Sequence, residues 1–147
     1  MNIKLQLDTT EFDKFAKQFP SLVIGEMNDA IQKSALKIES ESKKEAPAVS
    51  GKLRQMITTA FSHLRGTVSA NAVYSIYVHE GTKPHMIVPV NKKVLADRRK
   101  GLIFGTRVHH PGTKPNRFMI RAVNNSKNSI IKYFETALNN TIAKSLR

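Results

Sequence analysis

The chain has 147 residues, with 24 Lys+Arg against 11 Asp+Glu and a formal net charge of +13. That length fits about one domain with a real core, and 40% hydrophobic content argues against wholesale disorder. No apolar run approaches the roughly 20 residues of a membrane-spanning helix, Met1-Asn2-Ile3-Lys4 does not open as a secretory signal, and the absence of cysteine excludes a disulfide scaffold, a thiolate zinc site and a Cys nucleophile.

Ile3, Leu5 and Leu7 alternate with polar residues, the period-two pattern of a half-buried strand. Asp8, Thr9 and Thr10 offer N-caps for a short helix carrying Phe12, Phe15 and Phe19. Pro20 is expected to end that helix or to open the next one at its first turn. From Ser21 to about Glu45, Val23, Met27, Ala30, Ile31, Ser34 and Ile38 recur at three- and four-residue spacing and predict a long amphipathic helix. Residues 46–51 read as a turn, because Pro47 and Gly51 cannot continue a helix.

Lys52 to His63 reads as a strand, Arg65-Gly66 as a hairpin turn, and Thr67 to Ala70 as the returning strand. Asn71 to Glu80 fits either a short helix or a strand. Met86 to Val90, interrupted by Pro89, reads as an edge strand. Residues 91–100 are a polar, basic connection, and Leu102 to His109 is another strand. The chain turns helical from about Asn116. Asn124-Asn125-Ser126 is expected to break or recap it before a stripe of Ile130, Phe134, Ala137 or Leu138, Thr141 and Ile142. Helices, then strands, then helix predict an α+β domain. The expected architecture is an antiparallel sheet of about four strands packed against a long N-terminal and a C-terminal helix. The chain would be a single domain over 1–147: N-terminal strand and helices over 1–45, sheet with a basic loop at 85–110 over 46–115, and helix over 116–147.

The charge is uneven. Residues 1–45 hold 7 Lys+Arg and 8 Asp+Glu, whereas residues 46–147 hold 17 and 3. Such asymmetry points to an acidic partner or to a solvated basic surface. Lys92, Lys93, Arg98, Arg99 and Lys100 form the densest basic stretch, opposed only by Asp97. These cations suit phosphate contact, but no aromatic residue lies among them to stack on bases.

Gly-Thr-Lys-Pro occurs twice, at 81–84 and 112–115, at a spacing of 31 residues. Each copy supplies a glycine for a special backbone conformation and a proline that holds an extended exit. The pair therefore predicts an excursion pinned at both ends of its base, not a phosphate loop, since the Gly-Lys-Ser/Thr continuation is missing. His79, His85, His109 and His110, with Glu80, cluster nearby in sequence but match no zinc spacing. Only Glu80, Asp97 and Glu135 are acidic after residue 45, and no Gly-x-Ser-x-Gly elbow is present. The expectation is a protein without catalytic, metal-binding or cofactor-binding residues.

Three blocks carry a resemblance. Ala46-Pro47-Ala48-Val49-Ser50-Gly51-Lys52-Leu53-Arg54 follows a pattern of Ala-Pro, Ser/Thr-Gly and Leu-Arg. Tyr74-Ser75-Ile76-Tyr77-Val78-His79-Glu80-Gly81-Thr82, leading to Pro84, is similar to Tyr-Ala-x-Tyr-Val-Glu-x-Gly-Thr. His109-His110-Pro111-Gly112-Thr113-Lys114-Pro115-Asn116-Arg117-Phe118-Met119, followed by Ala122, is similar to a third block ending in Pro-Phe-Leu and Ala. Together they resemble the gene-product-ten family of tailed-bacteriophage morphogenesis proteins, described as head–tail joining, neck, tail-completion or minor tail components. The blocks span about half the chain, with His79 where the family often has Glu, Ser75 for Ala and Arg117 for Pro.

The resemblance implies a non-enzymatic virion assembly protein that forms a homo-oligomeric ring and contacts other phage neck and tail proteins. It would occupy the host cytoplasm during assembly and then the virion, with DNA as a secondary contact and no membrane. The alternative is a small basic nucleic-acid-binding module. Gly81 and Gly112 would set turns, and Phe118 and Met119 would anchor the C-terminal helix to the sheet. Tyr74 and Tyr77 would bury their rings with hydroxyls at the rim if this stretch is helical. Residues 85–110 would reach a neighbouring copy and order on assembly.

Overall fold

A computed structural model describes residues 10–48, 50–97 and 99–145. The strand expected at Ile3–Leu7, the caps at Asp8 and Thr9, and Arg98 lie outside the described residues.

Helix α1 (Thr10–Glu45) and helix α4 (Phe118–Ser145) form an antiparallel pair. The pair is tied at both ends of α4, by Arg121 Nε donating to Glu45 Oε2 at 2.6 Å and Lys144 Nζ to Glu26 Oε1 at 2.5 Å. The seam is made of small side chains: Ala30, Ser34, Ala35 and Ser42 on α1, with Ala122, Ser126, Ala137 and Thr141 on α4, all buried. Ser34, Ser126 and Thr141 donate back to the carbonyls of Ala30, Ala122 and Ala137 at 2.7–2.8 Å. Those bonds let the hydroxyls be buried without a partner across the seam.

Two predicted helix breaks are absent. Pro20 lies inside α1; its ring fixes a helical φ, so losing one backbone bond does not end the helix. Asn124-Asn125-Ser126 lies inside α4. Asn125 Nδ2 donates to Glu45 Oε1 at 3.1 Å, away from its own backbone, and Ser126 Oγ donates to Ala122 O one turn back, a bond that a continuous helix accommodates.

After α1 the chain makes a helical turn, α2 (Lys52–Gln55), where a strand was expected. Gly51 at φ 71° starts the turn. Arg54 closes it by donating from Nε to Ala46 O at 2.9 Å and from a terminal nitrogen to Lys44 O at 3.3 Å. A cation thereby meets the carbonyl end of a 36-residue helix, where the macrodipole favours positive charge. Strands β1 (Ile57–Ser62) and β2 (Arg65–Ala70) follow as an antiparallel hairpin.

The turn of that hairpin is His63-Leu64, not Arg65-Gly66. Leu64 takes φ 51° while its N–H donates to Asn28 Oδ1 at 2.8 Å. Gly66 serves close packing instead: a Cβ there would sit 2.9 Å from Ala35 Cβ on α1. The core behind the hairpin is Ala46, Leu53, Ile57, Ala72 and Phe118.

Helix α3 (Ser75–Glu80) resolves the ambiguous stretch as helical. The remaining strands are β3 (His85–Ile87), β4 (Leu95–Asp97), β5 (Leu102–Gly105) and β6 (Val108–His110). β3 pairs with β6 and β4 with β5, both antiparallel. The expected strand 102–109 is thus two strands, divided after Gly105 at φ 103°, and the expected connection 91–100 contains β4. The architecture is α+β, but among the described residues the strands form three two-stranded pairs and not one sheet of four. A continuous sheet would require β3–β6 to flank β1–β2. The chain instead leaves the core through α3 and builds its later pairs on themselves.

Candidate assembly interface

The two Gly-Thr-Lys-Pro copies meet. Thr82 N–H donates to Thr113 O at 3.0 Å, and Thr113 N–H to Thr82 O at 3.1 Å. Their hydroxyls lie 3.1 Å apart, and Thr113 N–H also reaches Thr82 Oγ1 at 3.0 Å. The glycines make this approach possible. A Cβ on Gly81 would lie 2.4 Å from Thr113 O, and one on Gly112 would lie 2.3 Å from Thr82 O. Their φ values are 75° and 86°, so the same substitution is strained at both positions by backbone and by contact. Pro84 and Pro115 lack the N–H that would extend the bridge.

One step further out, His85 pairs with His110. Their rings stack with centroids 5.0 Å apart. His85 Nδ1 lies 2.9 Å from Lys83 O, and Gly112 N–H donates to His110 Nδ1 at 3.0 Å. Beyond them the excursion has a base, β3–β6, and a tip, β4–β5. Ile87, Leu95, Ala96, Phe104, Val108 and His110 line a cavity of about 370 Å³ between the two tiers.

The outer surface of this arm is apolar and basic. Met86, Val88, Val90, Leu102, Ile103 and Phe104 are all exposed, Val90 at 92% and Ile103 at 74%. Lys92, Lys93, Arg99 and Lys100 are exposed, and none forms an ion pair among the described residues. The described part of the basic stretch is therefore on the arm, around β4.

The three sequence blocks converge below it. Ala46 and Leu53 of the first block join Phe118 of the third in one core cluster. His79 of the second block sets its ring edge-on to Phe118 at 5.4 Å. Pro47 follows the end of α1, and Asn116 N–H donates to Val78 O at 3.0 Å, linking the third block to α3. Phe118 is fully buried, and Met119 is half-buried against the same cluster.

Tyr74 and Tyr77 depart from the expectation: they are 39% and 59% exposed. α3 has only six residues and turns Val78 and His79 inward, which leaves the tyrosines outside. They border an open pocket of about 460 Å³ with His85, His110, Thr113 and Lys114. Glu80 is exposed, with Oε1 2.7 Å from His79 Nδ1. His79 Nε2 is buried without a hydrogen-bond partner among the described residues.

The histidines gather pairwise only. Among the described residues no three His, Asp or Glu side chains are placed to share a metal ion. Among those residues, too, no helix is long and apolar enough to cross a membrane.

Four carboxylates of α1, those of Glu26, Glu39, Glu41 and Glu45, are engaged within the chain. Hydrogen bonds from Lys144 and Asn140 hold Glu26 below the usual carboxylate range. Lys43 and Thr59 do the same for Glu39, and Lys44 and Lys37 for Glu41.

The exposed apolar residues of the arm were the signal that sequence reading missed. Their pattern resembles that of a half-buried strand, and only the absence of a covering layer distinguishes the two. No family model, curated protein or solved structure matches the chain.

Proposed function

We propose that this protein is a structural subunit of a tailed-phage or prophage virion, acting in the neck or tail-completion joint between head and tail, and that copies associate in a ring. It acts by binding, not by catalysis. The observation that carries the reading is the arm: an excursion pinned at Thr82–Thr113, with apolar and basic residues outward and a helical body below. An apolar surface of this kind on a charged chain suits a contact that is buried in an assembly. The convergence of the three family-like blocks on Phe118 supports the resemblance, because it gives each block a structural reason. Deleting the gene from the parent phage is the test. Filled heads and finished tails that fail to join are expected; normally joined particles would refute the role.

A second reading, a nucleic-acid-binding module, draws on the unpaired Lys92, Lys93, Arg99 and Lys100. It predicts DNA affinity that falls steeply with salt and is lost when these cations are reversed. An assembly subunit shows self-association instead, with any DNA contact weak.

A further inference from the structure

A second unpaired surface lies outside the arm. Among the described residues β1 and β2 form a two-stranded sheet, so β2 has an edge that no described strand covers. The bond from Asn71 N–H to Met56 O fixes the alternation along the β1–β2 register. Thr67 and Ser69 consequently bond to β1, while the backbone groups of Gly66 and Val68 point away from it. No hydrogen bond of the described residues occupies these outward groups. They border an apolar groove of about 280 Å³ floored by Ile31 and Ala35 of α1 and walled by Met119, Val123 and Phe134 of α4. No residue of the arm lines it.

We infer that the arm of one copy docks in this groove of the next, with β5 laid beside β2. The inference rests on the self-assembly reading above and names the two surfaces that would meet. An open strand edge is satisfied by another strand, and an apolar groove beside it selects one with apolar side chains. Within this chain β5 has that character: Leu102, Ile103 and Phe104 are consecutive, exposed and carried on a projecting hairpin. Arg99 and Lys100 immediately precede Gly101 and β5; next in sequence to groove residues stand one acidic side chain, Glu135, and one basic one, Arg65, neither in an ion pair among the described residues, so the apolar strand and not charge sets the fit.

Residues 85–110 extended as a hairpin span at most about 40 Å. Because donor and acceptor surfaces are different patches of one chain, the contact is heterologous, the type that makes a ring when the rotation between copies closes. The joined strands, β4–β5 from one copy and β2–β1 from the next, would make a four-stranded sheet across the boundary.

The chain has no cysteine, so Phe104→Cys with Val123→Cys in the full chain provides a clean cross-linking pair. Mild oxidation should give disulfide-linked multimers. Phe104→Asp and Val123→Asp should each weaken self-association about 100-fold, the effect of losing a central apolar anchor. Both positions are exposed, and circular dichroism checks that each variant folds. Mixed one to one, the two variants should recover a discrete heterodimer, because one intact arm still meets one intact groove. Self-association unaffected by either variant overturns the inference, as does a mixture that stays monomeric or a wild-type chain that stays monomeric at about 1 mM, the weakest affinity of interest. The virion role fails on a different result, the deletion phenotype above.

Discussion

Gly81→Ala tests whether the paired motifs hold the arm. Gly81 has φ 75° and ψ −176°, a region essentially restricted to glycine, and a non-glycine residue there costs about 1–3 kcal/mol. Its new Cβ would also meet Thr113 O at 2.4 Å, Lys114 C at 3.1 Å and Pro115 N at 2.9 Å, all of them backbone atoms that cannot rotate aside. Relief requires separating Thr82 from Thr113, which gives up two backbone hydrogen bonds worth about 1 kcal/mol each. Together the penalty is about 3–5 kcal/mol.

That penalty falls at the base of the arm and not in the Phe118 core, so the expected response is local opening. Native-state hydrogen exchange reads it directly. The Thr82 and Thr113 amides should exchange on the order of 100-fold faster or more, the factor equivalent to about 3 kcal/mol. Amides of α1 and α4 should change much less. Gly25→Ala is the control: Gly25 is in α1, where an added Cβ would meet nothing within 4 Å, so alanine should stabilise by about 1 kcal/mol. Unchanged protection at Thr82 and Thr113 in Gly81→Ala would refute the pinning argument.

Phe118→Ala removes the largest fully buried side chain, where all three blocks meet, and should cost about 3–5 kcal/mol in urea unfolding, whereas a loss below about 1 kcal/mol would mean that the cluster is not the core. Acid should also destabilise the helix pair. Glu26, Glu39 and Glu41 are held below their ordinary value of 4.5 in the folded chain. Folded values below unfolded ones contribute stability above about pH 4.5 that is lost as pH falls through the folded values. The melting temperature should therefore fall between about pH 5 and about pH 3, less steeply in Glu26→Gln. A flat profile in this window would remove these carboxylates from the stability of the fold.

The parts of the fold that are set locally were legible in the sequence. The α1 stripe and the C-terminal helix follow from helical spacing, and the pinned excursion follows from two repeated turns. Sequence reasoning failed where a side chain's partner lies far along the chain. Asn125 and Ser126 look like helix breakers until Glu45 and the α1–α4 seam are in place. Gly66 looks like a turn residue, but its missing Cβ accommodates Ala35, 31 positions earlier. Arg54 reads as a basic residue in a strand, whereas it curls the chain back onto the carbonyl end of α1. The tyrosines failed for a related reason: two aromatic residues on one helical face suggest burial, but burial needs a second layer, and α3 has none on that side.

The uneven charge takes on a different meaning once the ion pairs are placed. Glu26, Glu39, Glu41 and Glu45 each bind a cation of the same chain, namely Lys144, Lys43, Lys37 with Lys44, and Arg121. These pairs engage four carboxylates of α1 internally. Lys92, Lys93, Arg99 and Lys100 have no such counterpart among the described residues, so the arm carries uncompensated positive charge. A field on a projecting element acts first on encounter: it accelerates approach of an acidic surface at low salt and orients the arm toward it. Lasting affinity must come from what is desolvated afterwards, and on this arm that is the exposed Leu102–Phe104 strand. Cation reversals should consequently slow association with an acidic partner and flatten its salt dependence, whereas Phe104→Asp should speed dissociation. An arm that only bound DNA phosphates would show no dependence on Phe104.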